Sequence, residues 1–377
     1  MSAFRRASFV FALILVSAVF GSPAEAAKPA ALKLQLTVPF APQRVLSDKW
    51  QNVAYEIDIS RDYRALGYAL KRVEVLDPAG KMKIVRAYEG QTLAANMLLP
   101  DKYKEIKIPM VLVWLKFDHS GTVPKSLIHR FYFQRVSDGR AVTMTGAGTR
   151  VDFSPVRVIA SPMKGKLIAL FETTDEKVHH FRLPVMDGKR TKNPQRYAAD
   201  WMILTQDGKL RKEPGETNED YPIWKADLLA VADGTVVDAR DGMDDWVGWF
   251  TDTGRVKPAD VTGNHVYLDI GQGHYAVYAH CMKGSVVVKK GDKVRTGQVV
   301  CKAGNTGVSN APHLHFQISN GPDPLAAESV PYVFDKFVVT GNAARAWQVD
   351  GASYEPLAVP RVVKERIPDC FDVITFE

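Results

Sequence analysis

The chain has 377 residues, 46% apolar and 24% charged, with a formal net charge of +7. That length suggests two or three domains, each able to bury a core, and nothing in the composition reads as disordered. The basic excess is mild and suits a polyanionic neighbour such as cell wall or anionic lipid, but no Lys/Arg run is dense enough to argue for nucleic acid.

Arg5 and Arg6 precede an apolar run from Ala7 to about Phe20, followed by Gly21, Ser22, Pro23 and the small-residue stretch Ala24-Glu25-Ala26-Ala27. This is the layout of a secretory signal peptide over residues 1–26, with cleavage expected after Ala26 or Ala27. The run falls short of the roughly 20 residues a membrane span needs, and no later stretch is apolar enough to replace it. The sequence therefore predicts an exported chain with no stable span after cleavage, in the periplasm, the cell envelope or secreted.

From residue 28 to about 165, short runs rich in Val, Ile, Tyr and Phe alternate with turn signals. They include Val53–Ile59, Leu70–Leu76, Ile108–Phe117 and Ile128–Val136, punctuated by Asp77-Pro78-Ala79-Gly80 and Ser137-Asp138-Gly139. Helical periodicity is scarce, which predicts an immunoglobulin-like β-sandwich. His119 and His129 stand alone there, and an isolated histidine is more often structural than catalytic. We read this part as a binding or spacer module, with cell wall or a partner protein as its target.

From residue 166 to 377 the pattern stays β-rich and acquires Gly-rich turns, among them Ala232-Asp233-Gly234-Thr235 and Gly304-Asn305-Thr306-Gly307. Short strands joined this way predict a small antiparallel β-barrel or sandwich with a groove, so the chain as a whole is expected to be all-β. Thr205 to Asp227 and Asp241 to Gly263 read as loops flanking that groove. Three cysteines are too few for a disulfide framework. Cys281 and Cys301, on neighbouring predicted strands, are the pair for a single bridge; the alternative is three buried thiols.

The sharpest local feature is Pro312-His313-Leu314-His315-Phe316. On an extended chain both imidazoles project to one face, where one ring can ligate a metal while the other takes or gives a proton. Read together with Gly263-Asn264-His265-Val266, Tyr278-Ala279-His280, Gly291-Asp292-Lys293-Val294, Gly297-Gln298-Val299-Val300 and Gly304-Asn305-Thr306-Gly307, this motif resembles the lysostaphin-type zinc metallopeptidases. The resemblance spans roughly residues 198 to 318 with block order intact.

It implies a zinc endopeptidase, one Zn2+ per chain, acting on peptide bonds of peptidoglycan. It implies His315 and Asp200 as zinc ligands and His280 and His313 as catalytic groups. One of these two would act as base on water, and the other would steady the oxyanion or protonate the leaving amine. The usual histidine four residues before the Asp is replaced by Arg196, whose guanidinium has no lone pair for a metal. His179-His180 lie upstream, and a hairpin through Asp187-Gly188 would set one of them opposite Asp200; alternation favours His180 as third ligand over His179. Tyr278 and Asn305 are expected to line the substrate groove, His265 to be structural or groove-lining, and His274 to sit on a hairpin tip. The competing reading is an inactive relative that binds wall or a partner hydrolase and regulates it, motivated by Arg196.

Overall fold

In the strand Trp50–Ile59 side chains alternate between two rows, and both rows are buried. Val53, Tyr55, Ile57 and Ile59 face inward against a second sheet. There the Tyr55 hydroxyl donates to His129 Nε2 at 2.8 Å while His129 Nδ1–H donates to the Ala147 carbonyl at 2.9 Å. Burial pushes His129 down to about 4, so it is a neutral core histidine, as its isolation in the sequence suggests. Asn52, Ala54, Glu56 and Asp58 form the other row, and they face the second half of the chain.

The computed structural model describes residues 32–188, 190–249, 252–343 and 354–377; the expected signal peptide lies outside them. Trp50–Ile59 and Met110–Asp118 run antiparallel at the centre of a five-stranded sheet. Lys83–Glu89, Tyr68–Asp77, Ser126–Arg135 and Ala141–Arg150 form a four-stranded sheet in that order. The Asp77-Pro78-Ala79-Gly80 and Ser137-Asp138-Gly139 turns close its two outer hairpins. A single α-helix, Gly90–Asn96, appears among the described residues, and no described helix is long and apolar enough to cross a membrane.

The rest of the chain builds an eleven-stranded sheet. Its path runs Arg157–Ile159, Tyr332–Asn342, Asp372–Phe376, Gly165–Phe171, Ala199–Ile203, Leu314–Ser319, Tyr275–Cys281, Asn264–Asp269, Gly234–Arg240 and Lys293–Val294, with Glu355–Arg366 paired to Tyr332–Asn342. The path does not return on itself, so the sheet is open and not a closed barrel. Cys281 and Cys301 are joined by a disulfide, and Cys370 is a free, half-buried thiol.

Residues 34–377 form one compact unit because the outer row of the 50–59 strand is covered by the second half. Arg196 is buried between Glu56 and Glu328, with Nε 3.2 Å from Glu56 Oε1. Asn193 Nδ2 donates to Glu56 Oε1 at 2.7 Å, and the Thr191 hydroxyl donates to Asp58 Oδ2 at 2.8 Å. Asp58 Oδ1 has no partner. Burial, reinforced by Glu56 and only partly offset by Thr191, pushes Asp58 up to about 6.

An unfolded Asp titrates near ~3.9, so folding takes up a proton between about pH 4 and 6, and the contribution of Asp58 to stability falls as pH rises through that window. Asp58→Asn removes the buried charge. Its stability gain over wild type is expected to grow from near zero at pH 4 to about 2–3 kcal/mol above pH 6. Urea unfolding of both proteins across that range checks it; a gain that does not change with pH would contradict the assignment.

Candidate metal centre

Asp200 lies directly opposite His315 in the register of Ala199–Ile203 with Leu314–Ser319. Cross-strand partners leave the sheet on the same face, and Asp200 Oδ1 comes to 3.1 Å from His315 Nδ1. Gln317, two residues along the strand, fixes the hydrogen on His315. Its amide nitrogen donates to the carbonyls of Pro194 at 2.9 Å and Pro324 at 3.3 Å, which turns its oxygen toward His315 Nε2 at 2.9 Å. Nε2 is therefore the N–H, and Nδ1 presents its lone pair to Asp200.

His180 reaches the same carboxylate from an irregular segment. It opens the 3-10 turn His180–Arg182, its Nδ1–H donates to the Glu172 carbonyl at 2.9 Å, and its Nε2 faces Asp200 Oδ1 at 3.6 Å. Its ring crosses that of His315 at 90° with centroids 4.7 Å apart. Two imidazole lone pairs thus converge on one anionic oxygen, an arrangement that repels unless a cation stands among them. Two ligand atoms held by a tetrahedral zinc stand about 3.3 Å apart, a value bracketed by the 3.1 and 3.6 Å found here. The donor atoms of His180, Asp200 and His315 all lie within 4.8 Å of one another. Two imidazoles and one carboxylate fit the three-ligand set of a catalytic zinc site with one open position.

Two further histidines face this group. His280 Nδ1–H donates to the Thr306 carbonyl at 2.7 Å, and its ring lies 4.7 Å from that of His313 and 5.9 Å from that of His315. His313 Nδ1–H donates to the Ala311 carbonyl at 2.8 Å, with the Ser309 hydroxyl 3.2 Å away, and its Nε2 lies 3.5 Å from Asp200 Oδ1. Gly263 and Gly307, both at positive φ, let two loops pass so closely that a Cβ on either would strike the other's backbone. That approach delivers the Thr306 carbonyl to His280.

Burial pushes His180 down to about 3 and, with His313 and His315 adding to it, holds His280 well below the ordinary imidazole range, so both are neutral. Burial also opposes charge on Asp200, but the surrounding imidazoles, His180 and His313 foremost, outweigh it and hold the carboxyl well below its usual value. Burial opposes charge on His313 as well; Asp200 outweighs it and raises that imidazole. The group sits in a cleft walled by Leu183, Trp249, Val261, Val308 and Leu325.

Of the residues singled out from the sequence, His180, Asp200, His280, His313 and His315 are brought together. His179 lies at the cleft mouth, 60% exposed and paired with Glu172. The expected hairpin is not the route taken by His180. Val185–Asp187 and Arg190–Lys192 form their own ribbon, and the strand partners of Asp200 are Phe171 and His315.

Tyr278 does not line the groove. It is fully buried, its hydroxyl accepts the Val231 N–H at 2.9 Å, and its ring packs on Phe316. Alternation misplaces it because His280 adopts φ +62, stepping out of the strand pattern so that Ala279 and His280 both reach the cleft. Asn305 is buried as well; its amide donates to Asn218 Oδ1 at 3.0 Å and the Gly248 carbonyl at 2.9 Å, bracing loops. Loop 241–263 contributes Trp249, Val261 and Thr262 to the cleft. Loop 205–227 contributes no lining residue among the described ones; its Asn218 grips Trp246 and Gly248 instead. His265 is buried, with Nδ1 2.9 Å from the Gly263 carbonyl, and His274 lies in the turn between Asn264–Asp269 and Tyr275–Cys281. Gln317 was missed, although alternation from His315 places it on the metal face.

Residues 224–327 match the model of Peptidase family M23, a stretch that contains His280, His313 and His315 and begins downstream of His180 and Asp200. The chain carries an M23 peptidase domain with lysostaphin-type homologues. Glycyl-glycine endopeptidase ALE-1 of Staphylococcus capitis is 38% identical over 91 residues, covering 24% of this chain and 20% of that protein. Peptidoglycan DD-endopeptidase ShyA of Vibrio cholerae serotype O1 is 41% identical over 56 residues, covering 15% of this chain and 13% of that one. The matched part of the chain spans a fifth or less of the length of these curated relatives. Among solved structures, the catalytic domain of lysostaphin from Staphylococcus simulans aligns at 26% identity over 36% of this chain and 75% of that chain, with a TM-score of 0.22.

Replacing Gln317 by Leu strands the His315 N–H without an acceptor and frees the tautomer. Divalent-metal affinity is expected to fall about 10–100-fold, measured by chelator competition; unchanged affinity would show that Gln317 does not orient the ring.

Proposed function

We propose that this chain is a zinc-dependent endopeptidase that hydrolyses peptide bonds of peptidoglycan in the bacterial envelope. The observation that carries the reading is the convergence of His180 Nε2, His315 Nδ1 and Asp200 Oδ1 in a cleft that also holds two further histidines. The lysostaphin-type similarity of residues 224–327 points to the same chemistry. In this reading residues 1–26 export the chain, residues 28–165 form the sandwich module and residues 166–377 form the peptidase portion. The basic excess of the chain suits an anionic wall environment.

His180, Asp200 and His315 would hold one zinc ion. Bound there, it would polarise the scissile carbonyl and bring the pKa of a bound water toward about 7. Glu172 and Gln317 fix the outward N–H of each imidazole ligand, so the inward lone pairs are set before metal or substrate arrives. His313 Nε2 faces the same centre while Nδ1–H is tied to Ala311, so this imidazole takes a proton at Nε2, and Asp200 stabilises the cation that results. His280, neutral with its Nδ1–H tied to the Thr306 carbonyl, presents an Nε2 lone pair to the cleft, so it accepts a proton as it stands and steadies the oxyanion or protonates the leaving amine only after Nε2 has taken one up. Leu183, Trp249 and Val308 wall the cleft with apolar surface and restrict water around the reacting bond.

The purified chain is expected to bind about one zinc and to cleave isolated wall peptide. Asp200→Ala, His180→Ala and His315→Ala should each lose the metal and the activity together, whereas His179→Ala keeps both. His313→Ala should keep the metal and lose about 10²–10⁴-fold in kcat. A wild-type chain without metal that still binds wall would favour the inactive, regulatory reading.

A further inference from the structure

Asp200 and His315 stand on paired strands of the large sheet, but His180 does not. Its segment, residues 172–182, has no regular structure beyond one 3-10 turn, and a ligand on such a segment needs outside support to stay within a few tenths of an ångström of its place. Thr174 is tied to the second half, its hydroxyl donating to the Pro368 carbonyl at 3.3 Å and accepting from the Cys370 N–H at 3.1 Å, but the part around His180 itself leans on the sandwich. Phe181, fully buried, sets its ring edge-on to Trp114 with centroids 5.0 Å apart, and Trp114 is itself fixed by donating Nε1–H to Asn52 Oδ1 at 3.0 Å. The Phe181 carbonyl accepts from Asn193 Nδ2 at 2.9 Å, and the same amide donates to Glu56. Around the rim, Lys116 Nζ meets Asp175 at 2.8 Å and Arg86 meets Glu176 at 3.1 Å, while Arg182 donates to the Ala95 carbonyl.

We infer that the outer face of the sandwich's five-stranded sheet, together with the edge strand Lys83–Glu89 of the four-stranded sheet, is the platform that holds His180 in ligating position, so that Trp114, Lys116 and Arg86 are positioning residues for the metal centre. This rests on the reading that His180, Asp200 and His315 hold the ion. The module is then part of the site's construction: one of the three donors is placed by it, and the other two by the sheet.

The test uses the full-length chain and zinc itself. Arg86→Glu/Lys116→Glu reverses both rim charges facing Glu176 and Asp175 without touching the core, and is expected to lower zinc affinity about tenfold in chelator competition. Lys71→Glu/Arg140→Glu, an equal charge change at exposed positions of the four-stranded sheet and one of its hairpin turns, should leave affinity unchanged. Adding Asp175→Lys/Glu176→Lys to the first variant restores the attraction and should restore affinity, which a general loss of stability would not do. Trp114→Leu, if folded by circular dichroism, should cost 10–100-fold. Wild-type zinc affinity in the rim variant, or equal losses in both charge variants, overturns the inference while leaving the metal assignment intact. Absence of zinc binding by the wild-type chain overturns both.

Discussion

Everything at the cleft is arranged around one register: Ala199–Ile203 and Leu314–Ser319 pair so that residue 200 stands across from residue 315. A slip of Ala199–Ile203 by one position would turn Asp200 to the face opposite His315 and leave its carboxylate buried against Leu314 and Phe316. The apolar residues flanking Asp200 and His315 therefore specify the polar pair as much as the pair specifies the chemistry. Gln317 completes the arrangement by removing the choice of tautomer, and the neutral His180 sets a lone pair, not a charge, against Asp200.

Arg196 stands where the family resemblance leads one to expect a histidine, and it has a structural task of its own. The guanidinium is buried between Glu56 and Glu328, where it joins the 50–59 strand to the peptidase sheet, and removing one member of such a buried group costs about 3–5 kcal/mol. Burial keeps Glu328 up at about 7 even beside Arg196, a sign of how little water reaches the seam. The position thus serves cohesion between the two halves, and it is His180 that faces the Asp200 carboxylate, carried on a segment that the same seam holds down.

The motif-bearing residues were legible because short-range spacing carries them: His313 and His315 are two apart, and Tyr278-Ala279-His280 with Gly304-Asn305-Thr306-Gly307 are local blocks. The alternating runs of the first half gave the strands to within about two residues at most ends, since a half-buried strand repeats every two positions. What failed had non-local or non-periodic causes. The positive φ of His280 belongs to a residue type that seldom adopts it, so Tyr278 was placed on the wrong face. Asn305 looked like a loop residue facing substrate but spends its amide on Asn218 and Gly248, which are distant in sequence. The acids Glu56 and Asp58 sit on one face of an otherwise apolar strand, a sign of a buried polar seam that was passed over while the two halves were treated as separate modules.

The three donors lie at positions 180, 200 and 315, so the centre does not exist in any short stretch of the polypeptide. An unfolded chain holds such a set with no useful affinity, because the ion must then bear the entropy of closing a loop of more than a hundred residues. A chain still extended would therefore carry no ion, and would take one only after residue 315 had joined the sheet beside residue 200. Metal occupancy would then report completed folding, and a polypeptide stopped short of residue 315 could not assemble the centre at all.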